Sequence, residues 1–319
     1  MLVHRQQQAQ PRFAPQFVAF RGLDGKCNDT QAHEGCTVQA RFNDQHINAI
    51  KIATISVTLL LLYYPTFHMF LYDWSNDDNY SHGFLVPFIV GYLVWLKREQ
   101  LKSLVPTPSI IGLPVLIAGL SVYLIGTIGA EWFLKRASLI VVIAGIILYL
   151  YGTEFFKRLL FPLAFLFFMV PLPAIIYSAM AFRLQLFVSV ISAKLIGLAG
   201  VAVFREGNIL YVSSGPLAVE EACSGMRSIM ALLALSALFA YLVYASRLKQ
   251  WILVIAAFPI AVITNVIRVT TTGILAHYWG KSFAEGILHE SFGWMVFVIA
   301  FMLLFLLGKT LDWLIPSRV

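Results

Sequence analysis

Residues 174–201, AIIYSAMAFRLQLFVSVISAKLIGLAGV, decide how this chain is threaded. The stretch is apolar and long enough to cross a hydrocarbon core of roughly 30 Å, which takes about 20 helical residues. It also carries Arg183, Gln185 and Lys194, and a charge at mid-bilayer is costly. The sequence on either side is easier to read. Upstream, apolar runs cover 47–71, 84–96, 110–128, 137–151 and 159–170, the last stopped by Pro171 and Pro173. Downstream, Phe204-Arg205-Glu206-Gly207-Asn208-Ile209-Leu210-Tyr211-Val212 has the composition and the Gly-Asn turn of a short β-hairpin. Three further apolar runs follow at 223–243, 251–276 and 292–307.

The basic residues between the runs settle the choice. Lys97-Arg98, Lys157-Arg158, Arg247 with Lys249, and Lys309 occupy alternate connections, as the positive-inside rule requires. With these and the N-terminal segment in the cytoplasm, the fifth span exits at Pro171. The span opening at Cys223 must then run inward to deliver Arg247. Residues 174–222 therefore begin and end outside. The expected fold is an all-α membrane protein of about eight transmembrane helices. Residues 174–201 lie in the outer interface or dip in and return, and a small outer β-hairpin occupies 203–222. Both termini are cytoplasmic. Lys135-Arg136 is the one basic pair left outside.

Composition agrees. The chain has 319 residues, of which 59% are hydrophobic and 12% charged, about half the charge of a soluble domain. The net charge of +7 is spent in short clusters between apolar runs. No basic stripe interleaved with aromatics is present, so nucleic acid is not an expected partner. Residues 1–45 are rich in Gln, Asn, Asp and Arg and lack the apolar core of a signal peptide. They read as a flexible cytoplasmic tail ahead of a multi-pass membrane catalytic domain over 46–319. Of the three cysteines, at least one is a free thiol because the count is odd. Cys27, Cys36 and His33 match no zinc spacing, and neither a metal nor another cofactor is expected.

Three reactive side chains reach one depth in this topology. Cys223 opens a span at the outer face. Arg268 lies seventeen residues beyond Trp251, about 25 Å along a helix that starts inside. His289 precedes the last span, again outside. A single Cys on an apolar helix is ordinarily a packing residue, and a His near a span end is ordinarily interfacial. Arg268 is different, because an intramembrane Arg is a functional hypothesis by default. Asn265, at i−3 from Arg268, is placed to orient it. A thiol at a helix N-terminus has a lowered pKa. Glu220 and Glu221 oppose that effect unless they hold a basic partner, for which Arg227 is the candidate.

Here the residues carry a resemblance. Glu-Ala-Cys-Ser-Gly-Met-Arg at 221–227, Asn-Val-Ile-Arg-Val at 265–269 and His-Glu-Ser-Phe-Gly at 289–293 resemble the three signatures of the exosortase/archaeosortase family. Asp73-Trp74-Ser75 and Tyr80-Ser81-His82-Gly83-Phe84 resemble that family's first outer loop. The likeness covers residues 50–310 and the motifs occur in family order. It implies a catalytic Cys223, Arg268 and His289, with Glu221, Ser224 and Gly225 inside the cysteine motif and His82 in the outer loop as supporting residues. It implies cleavage of tail-anchored protein substrates near a C-terminal sorting signal: a short motif such as Pro-Glu-Pro, a membrane helix and a basic tail. It further implies a bacterial inner membrane, with membrane lipids around the chain and the site at the periplasmic face, and a link to exopolysaccharide and surface-protein export.

Rival readings are weaker. His289-Glu290 begins a zinc-protease HExxH pattern, but position 293 is Gly and the second ligand is missing. Gly280-Lys281-Ser282 offers the Gly-x-Ser of a rhomboid-like protease, with His289 too close in sequence. It is not a phosphate loop, since position 275 is Leu. His277 and His82 are reserve bases. A transporter or a polysaccharide-assembly subunit would also use Arg268 and Asn265. Its polar groups would line a path, whereas here they gather at one face, and no internal repeat is visible.

Overall fold

The computed structural model describes residues 30–219, 226–280 and 287–314, with side chains from residue 50 onward except those of 287–292. The chain divides into two units, Met1–Leu62 and Tyr63–Val319, and the second carries the site. Helix α1 spans Thr30–Asn76. Residues 30–45 of the expected flexible tail are thus helical. Once an apolar run has nucleated a helix, extending it backward adds one hydrogen bond per residue fixed.

Among the described residues, six helices are long and apolar enough to cross a membrane. They are Ile50–Asn76 of α1, α5 (Trp132–Tyr151), α7 (Ala174–Leu198), α8 (Met226–Val243), α9 (Arg247–Trp279) and Gly293–Leu314 of α10, which itself runs from Ile287 to Leu314. Length and composition single out these six candidates, α7 among them, where the expected count is about eight with residues 174–201 left out. Helix α4 (Gly112–Ile128) is apolar but only 17 residues long. The expected spans at 84–96 and 159–170 are composite. A 3-10 turn, Asp78–Phe84, leads into α2 (Leu85–Leu96), and α6 (Thr153–Phe165) runs out through a 3-10 turn at Leu166–Met169. A short α3 covers Arg98–Lys102.

Residues 174–198 form one continuous helix. A segment that dips in and returns needs a turn, so the re-entrant alternative is ruled out. The expected hairpin is present with its turn at Gly207-Asn208, where Gly207 takes φ +59°. It is extended to three antiparallel strands: β1 (Phe204–Glu206), β2 (Ile209–Val212) and β3 (Gly215–Ala218). The third strand was hidden because Gly215-Pro216 reads as a breaker. As an edge strand it accepts a proline.

Side-chain contacts sort the element ends into two groups. At one end Lys97 Nζ donates to Arg158 O at 2.6 Å and lies over the Tyr241 ring, which stacks on Phe161 at 3.7 Å between centroids. Lys249, only 1% exposed, donates to Asp312 at 2.7 Å and so ties the start of α9 to the end of α10. At the other end Asp73 pairs with Arg136, Trp74 Nε1 donates to Met169 O at 3.1 Å, and Arg227 pairs with Asp78 at 3.2 Å. Tyr80 and Tyr177 bring their rings to 5.9 Å there. We call these the Lys97 end and the Asp73 end. Helices α2, α5 and α8 run from the Asp73 end to the Lys97 end, and α6 runs back. Helix α7 begins at the Asp73 end.

Helices α4 and α5 form the closest pair. The buried residues of α4 are Gly112, Gly119 and Gly126, seven apart and hence on one face. Gly145 answers from α5. A Cβ on Gly145 would lie 2.6 Å from Leu116 N, and one on Gly119 would lie 2.8 Å from Val142 Cγ2. In a bilayer, where apolar surface alone does not drive association, such close backbone packing supplies the attraction.

Gly83 is constrained in the same way, because a Cβ there would fall on the Trp74 indole. That indole is buried and holds Met169 O. Gly83→Ala is therefore expected to lower stability by about 2 kcal/mol, the usual scale of overpacking. The thermal midpoint of the purified protein in detergent measures this, and an unchanged midpoint would refute it.

Candidate active site

Helix α9 is the spine of the site. It has 33 residues and is therefore about 50 Å long at 1.5 Å per residue. Ser236 Oγ of α8 donates to Leu253 O at 3.0 Å, which sets the antiparallel register of α8 and α9. From Leu253 to Arg268 the axis rises about 22 Å, and from Ser236 back to Met226 about 15 Å. Arg268 thus stands roughly 8 Å beyond the described start of α8.

Arg268 is 7% exposed and Asn265 3% exposed, and both are engaged by neighbouring groups. Three elements enclose this part of α9. The second half of α7 lies alongside it: Ser192 Oγ donates to Val266 O at 3.4 Å, and a Cβ on Gly273 would lie 2.5 Å from Ile196 Cδ1. Contact positions on both helices rise together, so α7 and α9 run parallel there. The sheet caps the pair. Val188 and Ile196 of α7, Leu210, Val212 and Leu217 of the sheet, and Val266 and Val269 of α9 share one apolar core. Ser189 Oγ donates to Gly207 O at 3.1 Å, and Ser213 bonds His277 Nδ1 at 2.6 Å. Finally α10 closes on the arginine itself. A Cβ on Gly293 would lie 3.9 Å from Arg268 Nη1, and His289 lies one helical turn earlier on α10.

Arg268 and the backbone turn that carries His289 are thereby brought together. Cys223, Glu221, Ser224 and Gly225 lie outside the described residues, as does Glu220. The side chain of His289 does too. Arg227 has Asp78 as an ion-pair partner; the expected pairing with Glu220 or Glu221 lies outside the described residues. His82 does not join Arg268. Its Nε2 donates to Phe168 O at 3.1 Å. This histidine fastens the loop before α2 to the 3-10 turn after α6. His277 is occupied by Ser213.

Two features escaped sequence reading. Gly293 lies against the Arg268 guanidinium, at ordinary contact distance, and its signal was its place at the end of the histidine motif. The Asp73–Arg136 pair spans |i−j| of 63. Its signal was the exception to the charge rule, since a basic residue on the wrong side is tolerated when it is buried against an acid. Arg136 is 8% exposed. It lines a cavity of about 350 Å³ at the Asp73 end, together with Asp77, Asn79, Tyr80, Glu131 and Tyr177.

Comparison with known families places the chain. The family model described as transmembrane exosortase matches residues 74–306, a range that contains Cys223, Arg268 and His289. No curated protein and no solved structure matches the chain.

Proposed function

The chain belongs to the transmembrane exosortase family, and on that premise we propose that it is a membrane-embedded cysteine protease or transpeptidase acting on tail-anchored exported proteins. The observation that carries this reading is Arg268. It is a buried cation on α9, next to the α10 backbone at Gly293 and roughly 8 Å beyond the start of α8. The Asp73 end is then the outer, periplasmic face of a bacterial inner membrane. The traverses are α1, α2 with its 3-10 entry, α4, α5, α6 with its 3-10 exit, α8, α9 and α10, eight in all, with both termini cytoplasmic. Helix α7 starts at the outer face and stays there. Its partners support this: Tyr80 at its first turns, and the far half of α9 at its last ones.

The chemistry follows from the three residues. The Cys223 thiolate attacks the carbonyl carbon of the scissile peptide bond. Arg268 stabilises the oxyanion that forms. The C–N bond breaks as His289 gives its proton to the leaving amine, and a thioester to Cys223 remains. Water or an acceptor amine then attacks the thioester, giving up a proton to His289 and returning the thiolate. Asn265 orients Arg268. The sorting signal is a short motif of the Pro-Glu-Pro type, a membrane helix and a basic tail, which ties the enzyme to surface-protein and exopolysaccharide export.

The test is co-expression with a reporter bearing such a C-terminal signal. Wild type shortens the reporter, and Cys223→Ala leaves it at full length. Processing that persists undiminished in Cys223→Ala would sink the assignment and return the chain to the transport reading.

A further inference from the structure

Strand β3 has a free edge. Val219 N donates to Asn208 O at 2.9 Å, so the main-chain groups of Val219 point toward β2. Successive residues of a strand turn their N–H and C=O to opposite sides. Leu217 and Gly215 therefore also face β2, opposite Leu210 and Val212. The N–H and C=O of Ala218 and the C=O of Pro216 face away from it. Pro216 and Ala218 are exposed, and these three groups form no hydrogen bond among the described residues. Proline has no N–H, so Ala218 carries the one outward donor of β3.

The two edges of the sheet differ. Sheets guard their edges with charge, and β1 is guarded: its three residues are exposed, and two are Arg205 and Glu206. The β3 edge, Gly215-Pro216-Leu217-Ala218, carries no charge. The outward carbonyls of Pro216 and Ala218 repeat every two residues, about 6.6 Å. That is the repeat of the N–H groups along one side of an extended chain, the ligand of a strand-addition site.

Position selects the occupant. Leu217 and Val219 share an apolar core with Val266 and Val269, which flank Arg268 in sequence on α9. The strand thus packs against the helical turn that holds the buried cation of the proposed chemistry. In sequence it runs on through Val219 to Cys223, four residues later.

We propose that the β3 edge is a strand-addition site for the exported polypeptide. An extended segment of the substrate accepts from Ala218 N and donates to Ala218 O and Pro216 O. The proposal rests on the reading that the chain handles such a polypeptide. It assigns substrate alignment to main-chain groups of β3, apart from the Cys223 chemistry.

The test uses the full chain in membranes with Cys27→Ser, Cys36→Ser and Cys223→Ala, so that Ala218→Cys supplies the only thiol and the tail-anchored reporter stays uncut. A single cysteine is walked along the reporter segment that precedes its membrane helix, and a mild thiol oxidant joins neighbours. Side chains of an added strand alternate between faces, so disulfide capture recurs at every second reporter position and is about tenfold weaker between them. A second arm keeps the native cysteines and follows processing. Ala218→Pro removes the outward N–H without touching the bonds to β2, and raises the KM for the reporter about tenfold with kcat kept. Ala218→Val retains the N–H and the wild-type KM. Arg205→Pro, on the opposite edge, leaves processing unchanged.

Capture at no position, or equally at all of them, overturns the proposal. So does an unchanged KM in Ala218→Pro, and so does capture of a second copy of the chain in place of the reporter, the mark of edge-to-edge pairing. Alternating capture without processing by the Cys223-containing chain supports the edge site and defeats the protease reading; processing without capture does the reverse.

Discussion

Arg268→Gln is expected to reduce reporter processing by about 100- to 1000-fold, the cost of removing one oxyanion-stabilising group, while the protein remains folded in the membrane. The expectation comes from where the charge sits. Arg268 is 7% exposed, so its field acts in a low-dielectric surrounding where a fixed cation is worth far more than in water. Glutamine keeps hydrogen-bonding capacity and most of the volume but carries no charge. Arg268→Lys is expected to lose nearly as much, because a point charge on a flexible stem does not reproduce the planar fork. Combining Arg268→Gln with His289→Ala should cost little more than the worse single change, since groups acting on one transition state are not additive. Processing by Arg268→Gln within a few fold of wild type would remove Arg268 from the mechanism and leave it a structural cation.

Gly145→Leu is expected to be among the most damaging single changes in the scaffold. Even a methyl group at position 145 would sit 2.6 Å from Leu116 N, and the atoms it meets first are backbone. Side chains yield by rotation, but a helix backbone yields only by moving the helix. Gly145→Ala should therefore destabilise by about 3 kcal/mol, the upper part of the overpacking range, and Gly145→Leu should prevent recovery of folded protein. Gly91→Ala is the control. It also lies within a helix, nothing stands within 4 Å of its Cβ position, and alanine is the better helix former. Thermal midpoints in detergent decide the matter. Equal midpoints for Gly145→Ala and Gly91→Ala would mean that α4 and α5 do not pack as described.

Much of this is legible in the sequence. The apolar runs located the helices, because twenty residues without charge admit few other structures in lipid. Gly207-Asn208 marked its turn through the one residue type at ease with positive φ. Arg268 stood out because a buried cation is expensive. What stayed hidden depended on partners far away in sequence. Gly112, Gly119 and Gly126 look like ordinary small residues in an apolar run until α5 is laid against them. Arg227 pairs with Asp78, at |i−j| of 149, a partner that no local reading reaches. The length of α1 was missed because polar composition says little about a helix propagated from an apolar neighbour.

The 33 residues of α9 outreach a hydrocarbon core of roughly 30 Å by about 20 Å. On the proposed reading, the far part of this helix, the end of α7 and the sheet form a turret standing above the lipid surface, with Arg268 near its foot. An enzyme built this way works as a depth gauge. A substrate anchored by its own membrane helix presents one particular stretch of chain at that height, and the bilayer itself does the measuring. Selection of the bond to be cut then belongs as much to the distance between anchor and motif as to the motif's side chains.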